Sequence, residues 1–338
     1  MKIEKNKNIK SLNTLGLNVT TLWYADPESR EELKELLCNQ EFRNIDKLII
    51  GSGSNILFKN NYKGLIIHLA IKEISIVKRD NHFVYVRAGA GVEWDNFVSW
   101  CTNRGWGGVE NLSAIPGCVG ACPIQNIGAY GSEVKDTIVS VEYIMLSSGE
   151  EVTIDNASCK FGYRDSVFKN ELKLKTAITF VTFKLSLFPQ ININYADLSK
   201  RMEGIKNPTV NDIRQAIIEI REQKLPDPAI VGNAGSFFKN PVVKKERALK
   251  LQKENPTLRL YPAKGGYKVP AGWLIEQCGF KGARYGNVGV HPNQALVLLA
   301  FDGATGEELL NLAEKIKRSV KDRFNIEIVP EVNVIASS

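Results

Sequence analysis

The segment that most limits how this chain can fold is a long stretch of low charge with neither a helical nor a strand period. It runs from Gly105 to Gly131 and contains two glycine-rich runs, Ile115-Pro116-Gly117-Cys118-Val119-Gly120 and Pro123-Ile124-Gln125-Asn126-Ile127-Gly128-Ala129-Tyr130-Gly131. Loops of this length are uncommon inside domains, and the ordered ones usually carry a function. This loop is too long to be a simple connector, and we interpret it as part of a ligand site.

A second glycine-rich turn, Gly51-Ser52-Gly53-Ser54-Asn55, follows the predicted strand Lys47–Ile50. Glycine lets the backbone approach a ligand closely, and successive N–H groups can hold phosphate oxygens. The third glycine of the dinucleotide-binding fingerprint is absent and the next residues are strand-like, which disfavours a conventional NAD site. Alone, the motif fits a tight hairpin turn as well as a phosphate cradle. Together, the two loops favour a site that binds both ends of an ADP-containing cofactor.

Turn residues and apolar spacing divide the chain into three predicted parts, residues 1–69, 70–208 and 209–325. A terminal strand, Ile326–Ile335 within residues 326–338, is expected to return to the first part, because terminal segments are usually ordered only when docked. Further strands are predicted at Gly64–Leu69, Phe83–Ala88, Val139–Leu146, Ala177–Leu187 and Ala295–Phe301, and helices at Ser29–Leu37 and Trp94–Arg104.

Two helices with clear start signals mark the third part. Thr209 and Asp212 can cap the first of them, and Pro226 prevents its continuation. Thr305 with Glu308 can cap the second. Both helices have an apolar stripe on one side, as expected for helices that pack on a core.

The overall composition is that of an ordinary globular protein and excludes several classes of function. At 338 residues, with 43% hydrophobic and 24% charged residues, the chain can form two or three domains. No apolar run is long enough to cross a bilayer, and Met1–Lys5 lacks the apolar core of a signal peptide. The net charge of +7 is spread along the chain, which favours a solvated surface over nucleic-acid binding and suits polyanionic small molecules. We therefore expect a cytoplasmic protein that binds neither membranes nor nucleic acids.

The six cysteines follow no repeating frame, which predicts free thiols in a reducing compartment. Cys118 and Cys122 are the closest pair, but no second pair and no nearby histidine accompany them. With only three histidines in the chain, a metal centre is disfavoured and an organic cofactor is expected.

The motifs, taken in order, resemble those of the UDP-N-acetylenolpyruvoylglucosamine reductases, whose flavin-binding fold is shared with the vanillyl-alcohol-oxidase class. The resemblance covers nearly the whole chain, and the segment around Tyr195 resembles the longer form, in which a tyrosine loop covers the substrate. Leu15 and Ala121-Cys122 depart from the usual residues, phenylalanine and small hydroxyl residues respectively. Besides the two loops, the matching motifs are Asn13-Thr14-Leu15-Gly16, Tyr163-Arg164-Asp165-Ser166, Gly232-Asn233-Ala234-Gly235-Ser236-Phe237-Phe238-Lys239-Asn240-Pro241, Pro270-Ala271-Gly272-Trp273-Leu274-Ile275 and Val329-Pro330-Glu331-Val332.

The resemblance implies an α+β protein: a two-part FAD-binding fold plus a smaller α+β substrate-binding domain. It also implies non-covalent FAD, NADPH as co-substrate, and reduction of UDP-N-acetylglucosamine enolpyruvate to UDP-N-acetylmuramate in peptidoglycan synthesis. In that reaction NADPH reduces FAD, flavin N5 delivers hydride to the enolpyruvyl β-carbon, and a proton reaches the α-carbon. The protein orients the cofactor and stabilises charge. We expect a monomer.

Three residues match the family's catalytic positions. Arg164 would hold the substrate carboxylate bidentately and stabilise the dianionic intermediate. Glu331 would lie near the same carboxylate, where burial and like charge can keep it protonated. Ser236 would be the general acid. Without the resemblance, Arg164 fits a surface arginine paired with Asp165, Ser236 fits a turn serine, and Glu331 fits an exposed position on an alternating strand.

The remaining matches concern binding. Tyr195 and Lys224 would contact the UDP phosphates, with Asn240 and Gln294 as supporting amides, although Lys224 fits equally well as a cation at the C-terminal end of its helix. The resemblance assigns the cofactor to residues of both loops, namely Gly51, Ser52, Gly53, Ser54, Asn55, Pro116, Gly117, Cys122, Pro123, Gln125, Asn126, Gly128, Ala129 and Tyr130.

Two other functions fit parts of this pattern. A flavin oxidase of the same fold would consume an alcohol and oxygen, and often carries a covalent flavin. No His or Cys lies within Gly51–Ile56, although His68 is nearby. A non-catalytic flavin- or nucleotide-sugar-binding protein would not need Arg164, Ser236 and Glu331 together.

Overall fold

Two sets of chain segments make up the structure, a computed structural model that describes residues 1–336. The first unit comprises Met1–Lys7, Thr21–Gly53 and Lys63–Gln223. The second unit comprises Asn8–Thr20, Ser54–Tyr62 and Lys224–Ser338. This division differs from the three predicted parts, because the helix predicted to open the third part lies almost wholly in the first unit. Residues 337 and 338 of the predicted terminal segment lie outside the described residues.

The predicted helices and strands, apart from the terminal strand, begin and end close to their predicted limits, and further elements lie between them. The helices are α1 (Arg30–Cys38), α2 (Trp94–Thr102), α3 (Ala196–Arg201), α4 (Val210–Lys224), α5 (Lys245–Glu254), α6 (Ala271–Gln277) and α7 (Gly306–Phe324). The strands are β1 (Ile3–Asn8), β2 (Thr20–Ala25), β3 (Lys47–Ile50), β4 (Ile56–Phe58), β5 (Tyr62–His68), β6 (Ile74–Arg79), β7 (Phe83–Gly89), β8 (Gly128–Ala129), β9 (Ser132–Glu133), β10 (Ile138–Met145), β11 (Glu151–Asp155), β12 (Thr176–Ser186), β13 (Gly232–Ser236), β14 (Val242–Val243), β15 (Tyr261–Ala263), β16 (Gly266–Lys268), β17 (Arg284–Tyr285), β18 (Val288–Val290), β19 (Val297–Ala300) and β20 (Asn333–Ile335).

A five-stranded antiparallel sheet, in the order β11-β10-β12-β7-β6, forms the core of the first unit. Its central register pairs Val141 with Val181 and Val181 with Ala88. The α2 residues Trp94 and Phe97 are buried against this sheet. Residues of the long glycine-rich loop are buried in the same core, and each fully buried apolar side chain stabilises it by roughly 1.5–3 kcal/mol. The sheet therefore holds the loop in place.

The first unit also contains a four-stranded sheet, in the order β1-β2-β5-β3, in which β3 and β5 are parallel. Helix α1 packs on it through Leu33 and Leu36. Ser29 caps α1 by accepting a hydrogen bond from Glu32 N at 3.2 Å. Strand β3 ends at Ile50, so the glycine-rich turn that begins at Gly51 directly follows a strand of this sheet.

The second unit is built on the antiparallel sheet β13-β19-β18-β17 and the long helix α7. The predicted capping box is present, because Thr305 Oγ1 accepts from Glu308 N at 3.2 Å and Glu308 Oε2 accepts from Thr305 N at 2.8 Å. The apolar stripe of α7 is buried at Leu309, Leu312 and Ile316.

The predicted terminal strand Ile326–Ile335 was too long. Only Asn333–Ile335 forms a strand, and it pairs in parallel with Ile56–Phe58 in the second unit. Before it, the chain makes single backbone bonds, with Val329 O accepting from Lys239 N at 3.0 Å. Pro330 has no N–H to donate, which prevents a continuous ladder. The terminal segment therefore pairs with residues of the predicted first part, as expected, but through a shorter strand than predicted.

All six cysteines are free thiols, as predicted. Burial raises the pKa of Cys159 to about 12, and also raises the pKa of Cys118 and Cys122. Among residues 1–336, no helix is long and apolar enough to span a membrane.

Candidate active site

The two glycine-rich segments meet within the first unit. A Cβ on Gly51 would lie 3.2 Å from Cys118 Sγ, so only glycine packs there without displacing its neighbour. Gly53 has a φ of +63°, a left-handed conformation that favours glycine. Ser52 Oγ is buried between them and makes no hydrogen bond of acceptable geometry in the described structure. A buried polar atom of this kind usually has a partner, so this turn fits the phosphate part of a cofactor.

The long loop has several residues in left-handed conformations, among them Ala114 at φ +56°, Asn126 at φ +46° and Tyr130 at φ +48°. Such residues cost of order 1–3 kcal/mol each, and they cluster at functional sites. Asn126 is fully buried. Its side chain donates to Gly162 O at 2.9 Å and accepts from Lys135 N at 3.1 Å. The side chain of Asn126, a predicted cofactor residue, therefore organises the loop.

The Cys122 side chain lies in the hydrophobic core of the first unit. Only its backbone can face a ligand, which explains why a thiol is tolerated where small hydroxyl residues are usual.

Arg164 occupies the tip of a tight turn closed by Gly162 N donating to Asp165 O at 2.9 Å. Its φ is +54°. The guanidinium donates to Gly128 O at 2.5 Å and to Asn126 O at 3.4 Å. A Cβ on Gly128 would lie 2.9 Å from Arg164 Nη1, so glycine leaves room for the guanidinium. The structure thus brings the predicted catalytic arginine onto the predicted cofactor loop.

Arg221 of α4, which was not among the predicted site residues, also contacts this loop. Its Nε donates to Ala114 O at 3.1 Å, and a side-chain hydrogen bond joins it to Tyr130. Burial lowers the pKa of Arg221. Arg214 and Arg221 are seven residues apart and so share a helix face, which is the only sequence signal for this contact.

Arg214, two helical turns before Arg221, stabilises the backbone at Ala114 through Asp95. It forms a two-pronged ion pair with Asp95 at 2.5 and 2.7 Å, and Asp95 also accepts from Ala114 N at 2.5 Å. Burial opposes ionisation of Asp95, but these hydrogen bonds outweigh it and hold its pKa below the usual value. The strained backbone at Ala114 is therefore bonded through both its N–H and its carbonyl.

The segment that carries Tyr195 packs on a small cluster of its own. Helices α3 and α4 form this hydrophobic cluster through buried residues that include Leu198, Ile213 and Ile217. Ile191 and Ile193 pack against it. Tyr130 packs on the same cluster, and its ring is 5.2 Å from that of Tyr195, edge to face. Tyr195 itself is 40% exposed. The predicted substrate tyrosine therefore lies beside a predicted cofactor residue in the first unit.

Ser236 and Glu331 lie on neighbouring backbones of the second unit. Ser236 ends β13 and is exposed, and Gly235 before it has a φ of +65°. Glu331 N donates to Phe237 O at 2.8 Å, one residue beyond Ser236. Asn55 also stabilises the backbone at Glu331, since its side chain donates to Glu331 O at 3.4 Å. Two of the three predicted catalytic residues are thus brought together, while Arg164 belongs to the first unit.

The two predicted amide contacts converge on the start of α6. Asn240 Oδ1 accepts from Ala271 N at 2.8 Å, and a Cβ on Gly272 would lie 3.1 Å from Gln294 Oε1. Lys224 is exposed at the end of α4. These three residues all belong to the second unit.

The chain is similar to known proteins over nearly its whole length. The family model described as UDP-N-acetylenolpyruvoylglucosamine reductase, C-terminal domain, matches residues 227–335, and the model described as FAD binding domain matches residues 22–155. The UDP-N-acetylenolpyruvoylglucosamine reductase of Flavobacterium johnsoniae is 45% identical over 99% of this chain and 100% of that protein. That of Chromobacterium violaceum is 44% identical over 96% of each.

Among solved structures, the crystal structure of the UDP-N-acetylenolpyruvylglucosamine reductase from Thermus caldophilus matches with a TM-score of 0.71 and 21% identity, over 99% of this chain and 100% of that one. At this identity the likeness concerns the fold. With the two family models, it confirms the predicted α+β fold with an FAD-binding part.

Proposed function

The chain belongs to the family of UDP-N-acetylenolpyruvoylglucosamine reductases, and on this basis we propose that it reduces UDP-N-acetylglucosamine enolpyruvate to UDP-N-acetylmuramate with NADPH. It is accordingly an oxidoreductase with an FAD-binding domain. The observation that best supports the finer proposal is the bond from Glu331 N to Phe237 O, because it brings the backbone of Glu331 next to the residue that follows Ser236.

The two glycine-rich segments fit FAD. Gly51, Ser52 and Gly53 offer a buried hydroxyl and a backbone without side chains, which suits the diphosphate. The long loop would hold the rest of the cofactor through its backbone. The chemistry that FAD supplies when bound is transfer of hydride from NADPH to the enolpyruvyl β-carbon.

Arg164 would stabilise the negative charge that develops on the substrate carboxylate. A guanidinium has five N–H donors in a planar fork that matches a carboxylate, and bonds to Gly128 O and Asn126 O hold this one in place. Fixed on the cofactor loop, it needs little reorganisation during the reaction. Preorganised charge of this kind is usually the largest electrostatic contribution to catalysis.

Ser236 would give its hydroxyl proton to the α-carbon, which becomes strongly basic once hydride has reached the β-carbon. The serine then recovers its proton from water. Its exposure at the end of β13 suits contact with a substrate. Glu331 would contact the same carboxylate as Arg164, and Asn55 and Phe237 hold its backbone in place.

Tyr195 and Lys224 would contact the UDP phosphates, and both are exposed. Asn240 and Gln294 would support the substrate through their amide groups. Asn240 uses only its Oδ1 in the bond to Ala271 N, which leaves its NH₂ group as a donor.

The test is purification followed by a visible absorbance spectrum, then anaerobic addition of NADPH and of UDP-N-acetylglucosamine enolpyruvate. We expect a flavin spectrum that bleaches with NADPH and recovers with the nucleotide sugar. In heavy water, deuterium should enter the product at the α-carbon. A protein that gains no flavin on reconstitution would overturn the proposal.

The competing oxidase function predicts a different result. Oxygen consumption with alcohols, and no reaction with NADPH plus the nucleotide sugar, would favour it. We further propose that the protein acts in the cytoplasm as a monomer on small molecules, which size-exclusion chromatography with light scattering tests for the oligomeric state.

A further inference from the structure

The side chain of Asn111 joins two segments of the first unit that the proposed function uses separately. Its Nδ2 donates to Tyr130 O at 2.9 Å, in the cofactor loop, and to Asn192 O at 2.9 Å, in the segment that leads to Tyr195. Asn111 is 2% exposed. An amide nitrogen has two protons to donate, and both are used here.

Weaker contacts join the same two segments. Asn192 Nδ2 lies 3.4 Å from Gly131 O, and the Tyr130 and Tyr195 rings meet edge to face. Asn192 Oδ1 accepts from Asn194 N at 3.1 Å, which shapes the chain just before Tyr195. Of these contacts, the Asn111 bridge is the buried one, so it is least weakened by competition from water.

Asn111 is itself held firmly. It lies in a short 3₁₀ turn, Glu110–Leu112, whose Leu112 is fully buried and accepts from Trp94 Nε1 at 2.8 Å. The Glu110 carboxylate accepts from Gly108 N at 2.5 Å. The bridge therefore links the Tyr195 segment to the rigid aromatic core of the first unit.

We propose that Asn111 is a positioning residue that fixes the Tyr195 segment against the cofactor loop and thereby sets affinity for the nucleotide sugar. This inference rests on the proposed function, in which Tyr195 covers that substrate. Asn111 acts through the two carbonyls that it bonds. Its loss should therefore change substrate affinity more than the hydride or proton transfer.

The chain offers a matched control. Asn156 makes the same kind of bridge in the same unit, with Nδ2 donating to Lys135 O at 2.7 Å and to Ile138 O at 2.8 Å, but neither carbonyl belongs to the Tyr195 segment. Asn111→Leu and Asn156→Leu remove equivalent bonds and preserve side-chain size. A merely structural role for Asn111 predicts that the two variants behave alike.

Kinetics provide the first measurement. We expect Asn111→Leu to raise KM for the nucleotide sugar about tenfold, because loss of buried hydrogen bonds shifts such an equilibrium by about an order of magnitude. Its kcat and its rate of flavin reduction by NADPH should stay within about threefold of wild type. Asn156→Leu should leave KM unchanged. Equal KM values for the two variants, or a fall in kcat with normal KM, would overturn the inference.

Hydrogen exchange provides a second measurement that needs no activity. Amides of residues 190–195 should exchange about tenfold faster in Asn111→Leu than in wild type, and at the wild-type rate in Asn156→Leu. No difference between the variants refutes the inference even if the enzyme is active. A wild-type protein without reductase activity refutes the proposed function alone, and exchange still decides the inference. If Asn111→Leu does not fold, Asn111→Ser, which keeps one shorter donor, takes its place in both measurements.

Discussion

The glycine-rich segments of the first unit, where we propose that FAD binds, and the turn of the second unit that carries Ser236 are built in opposite ways. The loops have glycines and left-handed residues, and their side chains at Asn126 and Cys122 are buried within the protein. They present mainly backbone to a ligand. Around β13 the backbone is ordinary except at Gly235, and the exposed side chain of Ser236 is what a substrate would meet. Under the proposed function, a cofactor that stays bound would be held by backbone groups, while reactivity would depend on single side chains.

This contrast has a consequence for mutations. A side-chain deletion in the catalytic turn should remove chemistry and leave the flavin bound. An added side chain in the loops should remove the flavin, because it fills space that the ligand needs. Three experiments test that contrast and a fourth tests the stability of the first unit, in order of the expected effect on the reaction.

Ser236→Ala should produce the largest loss. Flavin reoxidation by the nucleotide sugar should slow by about 10²–10⁴-fold, the usual contribution of general acid catalysis. Flavin content and reduction by NADPH should persist, since neither needs a proton at the α-carbon. Rapid mixing separates the two half-reactions, and Ser319→Ala on α7 serves as the control. Reoxidation at the unmutated rate would eliminate Ser236 as the acid.

Gly53→Val should weaken FAD binding by roughly tenfold or more, because a β-branched residue at φ +63° is strained by about 1–3 kcal/mol and obstructs the ligand. Gly149→Val is the matched control, since Gly149 has a φ of +71° in a turn with no atom near its Cβ position. It should cost stability and retain flavin. The flavin-to-protein absorbance ratio measures both. A folded Gly53→Val protein with full flavin would show that this turn is not the cradle.

Tyr195→Phe should raise KM for the nucleotide sugar by up to about tenfold, the effect expected from losing one hydrogen bond to a charged group. It could also alter inhibition by excess substrate. Flavin reduction by NADPH should remain near normal, and Tyr261→Phe, at an exposed tyrosine of the second unit, should change nothing. Slow flavin reduction with intact substrate binding would instead place Tyr195 in the chemistry.

The smallest effect on the reaction should come from a buried thiol of the first unit. Burial raises the pKa of Cys159 from its usual 9.0 to about 12, so the folded protein keeps a proton that the unfolded chain loses. The resulting stability is complete below pH 9 and is lost as pH rises toward 12. Between pH 8 and 11 the free energy of unfolding should fall by about 2 kcal/mol through this group.

Cys159→Ala should flatten that pH dependence, while Cys38→Ala, at an exposed position, should leave it unchanged. Denaturant titrations at each pH measure it. Identical pH profiles for Cys159→Ala and wild type would show that this buried thiol does not govern alkaline stability.

Sequence patterns predicted the regular elements well where the signal was local. The strand Lys47–Ile50 was predicted to the residue, and Thr305 caps its helix as expected. The terminal strand was predicted too long. The alternation of apolar and polar residues from Ile326 onwards does not show whether the backbone at Pro330, which has no N–H, has to donate a hydrogen bond to a neighbouring strand. The grouping of α4 with the first unit was also missed, since its stripe of Ile213 and Ile217 would suit any apolar surface.

The sequence by itself determined the family and the glycines of both loops, and it supplied the candidate reactive groups, because turn conformations and side-chain chemistry belong to single residues. Only the tertiary structure decided that Arg164 bonds the Gly128 carbonyl, that Arg221 supports Tyr130, and that Asn111 joins the cofactor loop to the Tyr195 segment. These contacts connect residues 19 to 91 positions apart, as with Asn111 and Tyr130 or Arg221 and Tyr130. A local pattern carries no information about such pairs, since their distance is fixed by how the sheets and helices pack.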